Sequence, residues 1–239
     1  MKKICICIPV YKEVPSEDEI LSLNSVKTNA AGIDIFYIKP RSLDLTGYGE
    51  YSFDCVDFED KYFRNVHTYS RLLLSTVFYE KFIDYEYMLI CQTDALLLKP
   101  FEEWECLLEE GYDYIGAPWP NEGITAYRRA FKGVSAFVKF LEPRTIRVGN
   151  GGFSLRKVDT CISMINKYKS IARQWNSEED IFFSYYGLVD DQYCIAPLEV
   201  AYQFSCEKDA RERIREGNVP IGVHAWRKFY PEIINEVSI

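Results

Sequence analysis

Two uninterrupted apolar runs constrain the fold of this chain more than any other feature. Residues 4–10 (ICICIPV) and residues 87–91 (YMLIC) contain no charged side chain, which is typical of strands buried on both faces of a parallel sheet. After the first run, Ser16 and Glu19 have the spacing of a capping box that starts a helix. A second strand is expected over residues 34–38. This strand–helix–strand order predicts an α/β fold with a mostly parallel open sheet flanked by helices.

The rest of the chain continues to alternate between strand and helix patterns. Helices are expected over residues 69–82, 102–110, 159–172 and 178–186, strands over 51–58 and 112–119, and a glycine-rich turn entering a strand over 148–155. No repeat or low-complexity linker divides the sequence. We therefore expect residues 1–239 to form a single domain.

The charge balance argues against a nucleic-acid partner. The chain has 36 acidic and 28 basic residues and a formal net charge of −8, whereas nucleic-acid binders present a basic stripe that neutralises phosphates. Residues 121–147 depart from this balance, with six basic side chains against two acidic ones. We expect this segment to contact the acceptor or to make peripheral contact with an anionic membrane. The alternative is an ordinary solvated insertion.

The cysteines and the N-terminus bear on location. No pair among the eight cysteines has the C-x-x-C spacing of a zinc or redox site. The first apolar run is too short for a transmembrane helix and lacks a secretory cleavage site. These features predict free thiols and a cytoplasmic location, with residues 121–147 available to the inner face of the membrane.

Asp94 comes just after the second apolar run, in the segment Gln92-Thr93-Asp94-Ala95. In open α/β sheets, ligands bind beyond the carboxyl ends of the strands. A carboxylate there suits Mg²⁺ or Mn²⁺, the kind of cation that neutralises a nucleoside diphosphate leaving group. The alternative is that Asp94 belongs to a turn that ends the strand.

The glycine-rich segment Gly149-Asn150-Gly151-Gly152 is a second candidate for ligand binding. Glycine lets the backbone approach a ligand closely, and the asparagine amide can both donate to and accept from sugar hydroxyls. The alternative is a tight turn without a ligand.

An acidic cluster at Glu178, Glu179 and Asp180 could supply a general base that takes a proton from an acceptor hydroxyl. Acids at a helix start also favour the helix dipole, which is the structural alternative. Arg71 lies in an apolar helical pattern and needs an anionic partner, either a diphosphate or a carboxylate. His224 has an apolar setting, and it becomes a site residue only if the fold brings it to Asp94.

Four of these features, namely Asp94, the glycine-rich segment, the acidic pair and His224, occur in the order expected of glycosyltransferases of the A-type fold. Six segments carry the match. They are residues 69–74 (YSRLLL), 87–95 (YMLICQTDA), 114–119 (YIGAPW), 148–156 (VGNGGFSLR), 179–183 (EDIFF) and 224–226 (HAW). The chain resembles that superfamily over nearly its whole length, and most resembles a bacterial family of uncharacterised, glycosyltransferase-like domains. The resemblance implies a Rossmann-like, nucleotide-sugar-binding architecture. Its nucleotide-binding part would span about residues 1–100 and its acceptor-side part about residues 101–239.

By this resemblance, Gln92-Thr93-Asp94 occupies the position of the superfamily's Asp-x-Asp motif. Asp94 is then implied to bind a divalent cation, Mn²⁺ or Mg²⁺, that bridges the donor diphosphate. His224 matches the histidine that completes the metal site in many relatives. Gln92 replaces the first acid of the motif, and since an amide is a poorer cation ligand than a carboxylate, the need for a metal is left open.

The resemblance also implies donor contacts. The first strand ends as in relatives whose backbone holds the nucleobase, the glycine-rich loop faces the donor sugar, and an arginine approaches the diphosphate in some retaining families. The implied donor-binding residues are Pro9, Val10, Tyr11, Arg71, Gln92, Thr93, Asn150, Gly151 and Gly152.

Glu179 and Asp180 match the acidic pair whose aspartate is the usual base in inverting members. We expect inversion, because a carboxylate base gives the acceptor a direct route of attack. The helix around Arg71 is shared with retaining enzymes, so that the alternative stays open.

We therefore expect a glycosyltransferase that moves a sugar from a nucleotide-sugar, most often a UDP-sugar, to a glycan or lipid-linked acceptor in surface polysaccharide synthesis. One alternative is a catalytically silent module that binds nucleotide-sugars or glycans, which Gln92 keeps open. A sugar nucleotidyltransferase is the other. Such enzymes carry a glycine-rich basic loop after the first strand, and residues 11–15 (YKEVP) contain no glycine.

Overall fold

The computed structural model describes residues 1–119, 124–125 and 145–237. Most of the basic segment 121–147, and with it the expected acceptor or membrane contact, lies outside the described residues. Eleven strands are described: β1 (Lys2–Pro9), β2 (Asp34–Pro40), β3 (Asp54–Phe58), β4 (Tyr85–Cys91), β5 (Leu96–Leu97), β6 (Tyr114–Pro118), β7 (Ile124–Thr125), β8 (Thr145–Ile146), β9 (Val148–Lys157), β10 (Ser205–Cys206) and β11 (Gly222–Val223).

The described α-helices are α1 (Glu17–Asn29), α2 (Val66–Leu73), α3 (Thr76–Tyr79), α4 (Val158–Lys167), α5 (Lys169–Gln174), α6 (Glu179–Val189), α7 (Leu198–Phe204), α8 (Ala210–Arg215), α9 (Trp226–Phe229) and α10 (Ile233–Glu236). Short 3₁₀ helices lie at Thr46–Tyr48, Asp60–Phe63, Glu80–Phe82, Phe101–Glu103 and Glu105–Glu109. Among the described helices, none is both long and apolar enough to cross a membrane.

The main sheet has six strands in the order β3-β2-β1-β4-β9-β6. The first four are parallel, whereas β9 runs antiparallel to both β4 and β6. Side chains of β1 enter two cores in alternation: Cys5 and Cys7 pack on one side of the sheet, Ile6 and Ile8 on the other. Burial on both faces is why the strand is apolar throughout. The predicted α/β class with a largely parallel, helix-flanked sheet is confirmed.

The helix after β1 begins as its capping box predicts. The backbone N–H of Glu19 donates to Ser16 Oγ, and the N–H of Ser16 donates back to Glu19 Oε2 at 2.8 Å. All eight thiols are free.

Four predicted elements differ from the structure. The helix expected over residues 102–110 is replaced by the two 3₁₀ helices Phe101–Glu103 and Glu105–Glu109, because Trp104 between them (φ −132°, ψ 2°) leaves the helical region. The helix expected over residues 69–82 is broken, because Ser75 adopts extended backbone (φ −117°, ψ 134°) between α2 and α3. The helix expected over 159–172 is divided at Tyr168, whose φ of −105° and ψ of 28° leave the helical region. Over residues 148–155 the expected strand is present but the expected turn is not, since all of these residues belong to β9, with register shifts opposite β6.

A second, three-stranded sheet has the order β10-β11-β5. Val223 of β11 pairs with Cys206 of parallel β10 and with Leu96 of antiparallel β5. The residues that follow β10 and β11 therefore lie close to those that precede β5, at one end of the strands. The candidate site is built at this end of the small sheet.

Candidate functional site

Asp94 and His224 lie close together at one end of the strands of the small sheet. Asp94 precedes β5 and His224 follows β11, and the strand register places them side by side. His224 Nε2 lies 3.3 Å from Asp94 Oδ1. The sequence made His224 a site residue only if the fold brought it to Asp94, and the pairing of β5 with β11 does so.

The imidazole of His224 is packed against the backbone of Gly152. A Cβ built at position 152 would lie 2.1 Å from Nε2 and 2.3 Å from Cδ2, closer than real carbon contacts allow. The side chain of His224 is 13% exposed, whereas that of Asp94 is 56% exposed. The carboxylate thus faces the solvent-filled side of the pair, and the ring is held beneath it.

A second carboxylate lies on the other side of the ring. Glu207 Oε1 is 3.4 Å from His224 Nδ1. Both ring nitrogens are buried, and neither contact has the alignment of a hydrogen bond. Burial lowers the pKa of His224, but Asp94 and Glu207 together raise it to about 9. Partial desolvation raises the pKa of Asp94, and the neighbouring His224 lowers it by more, to below its ordinary value.

Asp94 and His224 suit a divalent cation as a partial ligand set. Nε2 is a buried nitrogen without a hydrogen-bond partner, and it lies 3.3 Å from an exposed carboxylate oxygen. Within the described ranges, no group of three or more His, Cys, Asp or Glu side chains is arranged to hold a metal ion. Mg²⁺ sites commonly combine one or two protein ligands with substrate phosphates and water. The pair could therefore supply two of the ligands of such a cation.

A cleft of about 660 Å³ opens beside Asp94. Five sequence-predicted residues line it: Pro9, Tyr11, Gln92, Thr93 and Asp94. Val10 does not, because its side chain is 1% exposed and its N–H donates to the carbonyl of Ile38. Gln92 to Ala95 also form a backbone turn, closed by a 2.9 Å hydrogen bond from the Ala95 N–H to the Gln92 carbonyl. The turn alternative for Asp94 is therefore compatible with a ligand-binding role.

Two further cleft residues, Lys12 and Glu19, were not predicted as site residues. Lys12 Nζ lies 3.0 Å from Glu19 Oε1, and Thr93 Oγ1 donates to the same oxygen at 3.2 Å. Burial raises the pKa of Glu19, but hydrogen bonds from Ser16 and Lys12 lower it by more. The sequence assigns Glu19 a capping role, which it fulfils, and contains no local pattern that places it beside Thr93.

Gly151 and Gly152 approach side chains of this protein closely. A Cβ at position 151 would lie 3.0 Å from Glu179 Oε1, on the opposite side of the strand from His224. The Asn150 side chain accepts a hydrogen bond from the N–H of Gly152 at 3.1 Å. These glycines are therefore needed for internal packing. Their contact with a donor sugar stays a prediction.

Glu179 belongs to a buried ionic network. Arg156 Nη2 donates to Glu179 Oε1 at 2.9 Å, and Ser70 Oγ donates to Oε2 at 2.8 Å. Arg156 is fully buried, and its guanidinium also donates to Tyr79 Oη. Both oxygens of Glu179 are thus engaged inside the core, which is a structural role different from the helix-dipole contact that the sequence offered as the alternative. The catalytic base predicted at this acidic pair stays a prediction.

Asp180 is tied to the strand that carries the glycines. The N–H of Gly151 donates to Asp180 Oδ2 at 3.1 Å, and the N–H of Ile181 donates to Oδ1 at 2.7 Å. Burial and the charge of Glu179 raise the pKa of Asp180 to about 8. Such a carboxylate can exchange a proton near neutral pH. Asp180 does not line the cleft described above.

Arg71 has partners other than a ligand. Its guanidinium donates to the carbonyls of Ala172 and Trp175 near the end of α5. It is absent from the lining of the cleft as the described residues form it. Backbone carbonyls thus take the place of the anion that the sequence led us to expect.

Comparisons with known proteins agree with this architecture. The family described as "Protein of unknown function (DUF5672)" matches residues 52–224. The crystal structure of mouse xyloside xylosyltransferase 1 in its apo form superimposes with a TM-score of 0.57 and 11% identity, covering 93% of this chain and 97% of that chain. The comparison with curated proteins found no match. The structural likeness establishes an A-type glycosyltransferase fold.

Proposed function

The chain belongs to the protein family of unknown function DUF5672, and from its fold and site we propose that it is a glycosyltransferase acting on a nucleotide-sugar donor. The observation that carries the proposal is the contact of Asp94 with His224 at 3.3 Å, beside a cleft of about 660 Å³. In an open α/β sheet, this is the end at which a ligand binds.

We place the donor nucleotide along the cleft lining. The nucleobase and ribose would lie near Pro9, Tyr11 and Gln92, and the diphosphate near Asp94. A divalent cation, when bound, would be held by Asp94 and His224 and would neutralise charge on the leaving diphosphate. A UDP-sugar is the donor class that we propose first.

Asp180 is the proposed general base. It would take the proton from an acceptor hydroxyl as that oxygen bonds to the anomeric carbon and the nucleoside diphosphate leaves. Attack from the face opposite the leaving group inverts the anomeric configuration. The raised pKa of Asp180 supports this role, and the configuration of the product, read by proton NMR, tests it.

We propose a glycan or lipid-linked acceptor, met in the cytoplasm at the inner face of the membrane. The support is the composition of residues 121–147, with six basic side chains against two acidic ones. Co-sedimentation with vesicles tests the membrane contact: binding should rise with the fraction of anionic lipid, and equal binding to neutral vesicles would contradict it.

The proposed activity is tested by titrating the purified protein with a panel of nucleotide-sugars and Mn²⁺, with release of nucleoside diphosphate as the second readout. At least one donor should bind and be slowly hydrolysed. Failure of every donor to bind would refute the proposal. An exposed acid away from the cleft, in the variant Glu212→Gln, provides the matched control.

One observation favours a binding module without transfer. Both oxygens of Asp180 accept backbone hydrogen bonds, and the residue does not line the cleft. In that case a donor binds tightly, but no nucleoside diphosphate is released with any acceptor. The same pair of readouts separates the two functions.

A further inference from the structure

Glu207 has a position in the site that neither its sequence context nor the fold comparison assigns. It follows β10 directly, as His224 follows β11, and the parallel pairing of Cys206 with Val223 sets the two side by side. The carboxylate of Glu207 is 12% exposed, and its Oε1 lies 3.4 Å from His224 Nδ1. A nearly buried carboxylate beside an imidazole nitrogen needs a donor.

The two carboxylates meet different nitrogens of one ring. Asp94 approaches Nε2 and Glu207 approaches Nδ1. The lone pairs of the two ring nitrogens point in different directions, so a cation bound to Nε2 and Asp94 is out of reach of Glu207. Glu207 is therefore placed to orient the histidine rather than to complete the ligand set.

We propose that Glu207 is the positioning residue of the cation site: a small rotation of its carboxylate, which lies 3.4 Å from Nδ1, lets it accept the Nδ1–H of His224 and so leaves Nε2 as the ligand nitrogen facing Asp94. Carboxylates that hold a ligating histidine in this way fix its tautomer and its ring orientation. This inference rests on the proposed cation site and adds the residue that orients its histidine.

The surroundings of the His224 ring restrict its motion but still allow it to rotate about the Cβ–Cγ bond, and Glu207 is placed to fix that rotation. The N–H of His224 donates to the carbonyl of Cys206 at 3.0 Å, and the ring lies against Gly152. A half-turn about the Cβ–Cγ bond would exchange Nε2 with Cε1 and Nδ1 with Cδ2, so that ring carbons would face Asp94 and Glu207. A carboxylate on the Nδ1 side selects one orientation.

The test compares Glu207→Ala and Glu207→Gln with the wild type and with the exposed control Glu212→Gln. Mn²⁺ affinity is measured by electron paramagnetic resonance. We expect Glu207→Ala to weaken it about 10- to 100-fold, Glu207→Gln to lose less because its amide oxygen can still accept, and the control to match the wild type.

The second readout is the tautomer of His224, from the ¹⁵N shifts of the ring in the metal-free protein, recorded above the pKa of about 9 so that the imidazole is neutral. The chain has only two histidines, so exposed His67 gives an internal reference. The wild type should carry its proton on Nδ1, and Glu207→Ala should give a mixture of tautomers. A role in stability alone would lower Tm without moving these shifts.

The outcomes separate the two proposals. If the wild type and His224→Ala bind Mn²⁺ equally, the cation site of the proposed function fails, while the tautomer still decides whether Glu207 orients the ring. If the wild type binds Mn²⁺ and the Glu207 variants keep both its affinity and its tautomer, the inference about Glu207 is overturned.

Discussion

The ring of His224 occupies the space that a side chain at Gly152 would need. A Cβ at position 152 would come within 2.5 Å of three atoms of that ring. His224 can therefore keep this position only if residue 152 is a glycine, and its imidazole packs directly on the backbone of β9. Asp94 and Glu207 contact the ring from its two nitrogen sides.

The variant Gly152→Ala should damage the cation site more than the fold. The new methyl group must displace the imidazole, which separates Nε2 from Asp94. We expect at least a tenfold loss of Mn²⁺ affinity, measured by isothermal titration calorimetry, with far-ultraviolet circular dichroism unchanged. The control is Ala95→Gly, beside Asp94, which tests whether any backbone change near the site lowers the Mn²⁺ affinity. Gly32→Ala is not used as a control, because the φ of Gly32 is +76° and an alanine there would be strained. Wild-type affinity in Gly152→Ala would show that the packing contact does not matter.

Asp94→Ala and Asp180→Asn should fail at different steps. Removing the Asp94 carboxylate should weaken metal-dependent donor binding by about 10-fold or more. Asp180→Asn should spare donor binding and reduce transfer by about 10²- to 10⁴-fold, the usual contribution of a general base. Calorimetry and a transfer assay measure the two effects. Equal loss of donor binding in both variants contradicts the assigned roles.

Transfer should rise with pH as Asp180 ionises. Its pKa is raised from the ordinary 3.8 to about 8, so the carboxylate is mostly protonated at neutral pH and becomes a competent base above it. For stability the sign is opposite: a raised folded-state pKa favours the protonated fold, and this contribution is lost as pH increases through about 8. The rate of transfer between about pH 6 and pH 9 should increase in the wild type. A rate independent of pH over that range would exclude Asp180 as the base.

Glu179→Gln should destabilise the fold without acting on the chemistry directly. The change leaves the guanidinium of Arg156 buried without its 2.9 Å ion-pair partner, and breaking such a pair costs roughly 3–5 kcal/mol. Urea unfolding measures the loss. The exposed pair of Lys61 with Glu59 is the control, since Glu59→Gln should change the free energy of unfolding by less than about 1 kcal/mol. Equal effects in the two variants would refute the structural role of Glu179.

Ala225→Gly should be neutral or stabilising. Ala225 has a φ of 51° and ψ of 36°, the left-handed region, directly after His224. That conformation costs an alanine about 1 kcal/mol, which glycine largely avoids, although glycine also gains entropy in the unfolded chain. We expect the free energy of unfolding to rise by up to about 1 kcal/mol, whereas Ala201→Gly inside α7 should lower it by about 1 kcal/mol. A large loss in Ala225→Gly would mean that the strain is not relieved.

The sequence predicts those parts of the molecule that depend on local pattern. The apolar runs of β1 and β4 and the capping box at Ser16 are readable because neighbouring residues determine them. The sequence could say only that His224 would belong to the site if it lay near Asp94, and in the structure the two are 3.3 Å apart. What local patterns omit is strand register: nothing around Glu207 indicates that β10 and β11 align it with His224.

Two expectations, the glycine-rich turn and the partner of Arg71, depend on contacts that only the fold determines. A run of glycines indicates either a turn or a close approach, and the sequence cannot show that Gly151 and Gly152 face Glu179 and His224. In the same way, the burial of Arg71 indicates a missing partner, while only the fold shows that this partner is a pair of carbonyls.

The small sheet also orders events in time. Its first strand, β5, emerges from the ribosome before β10 and β11, so Asp94 is synthesised well before the histidine that it contacts. The lining of the cleft is therefore complete only after Trp226 and Arg227 have docked. A cation held by Asp94 and His224 would favour that docked state, so that occupancy of the site and completion of folding would be thermodynamically linked.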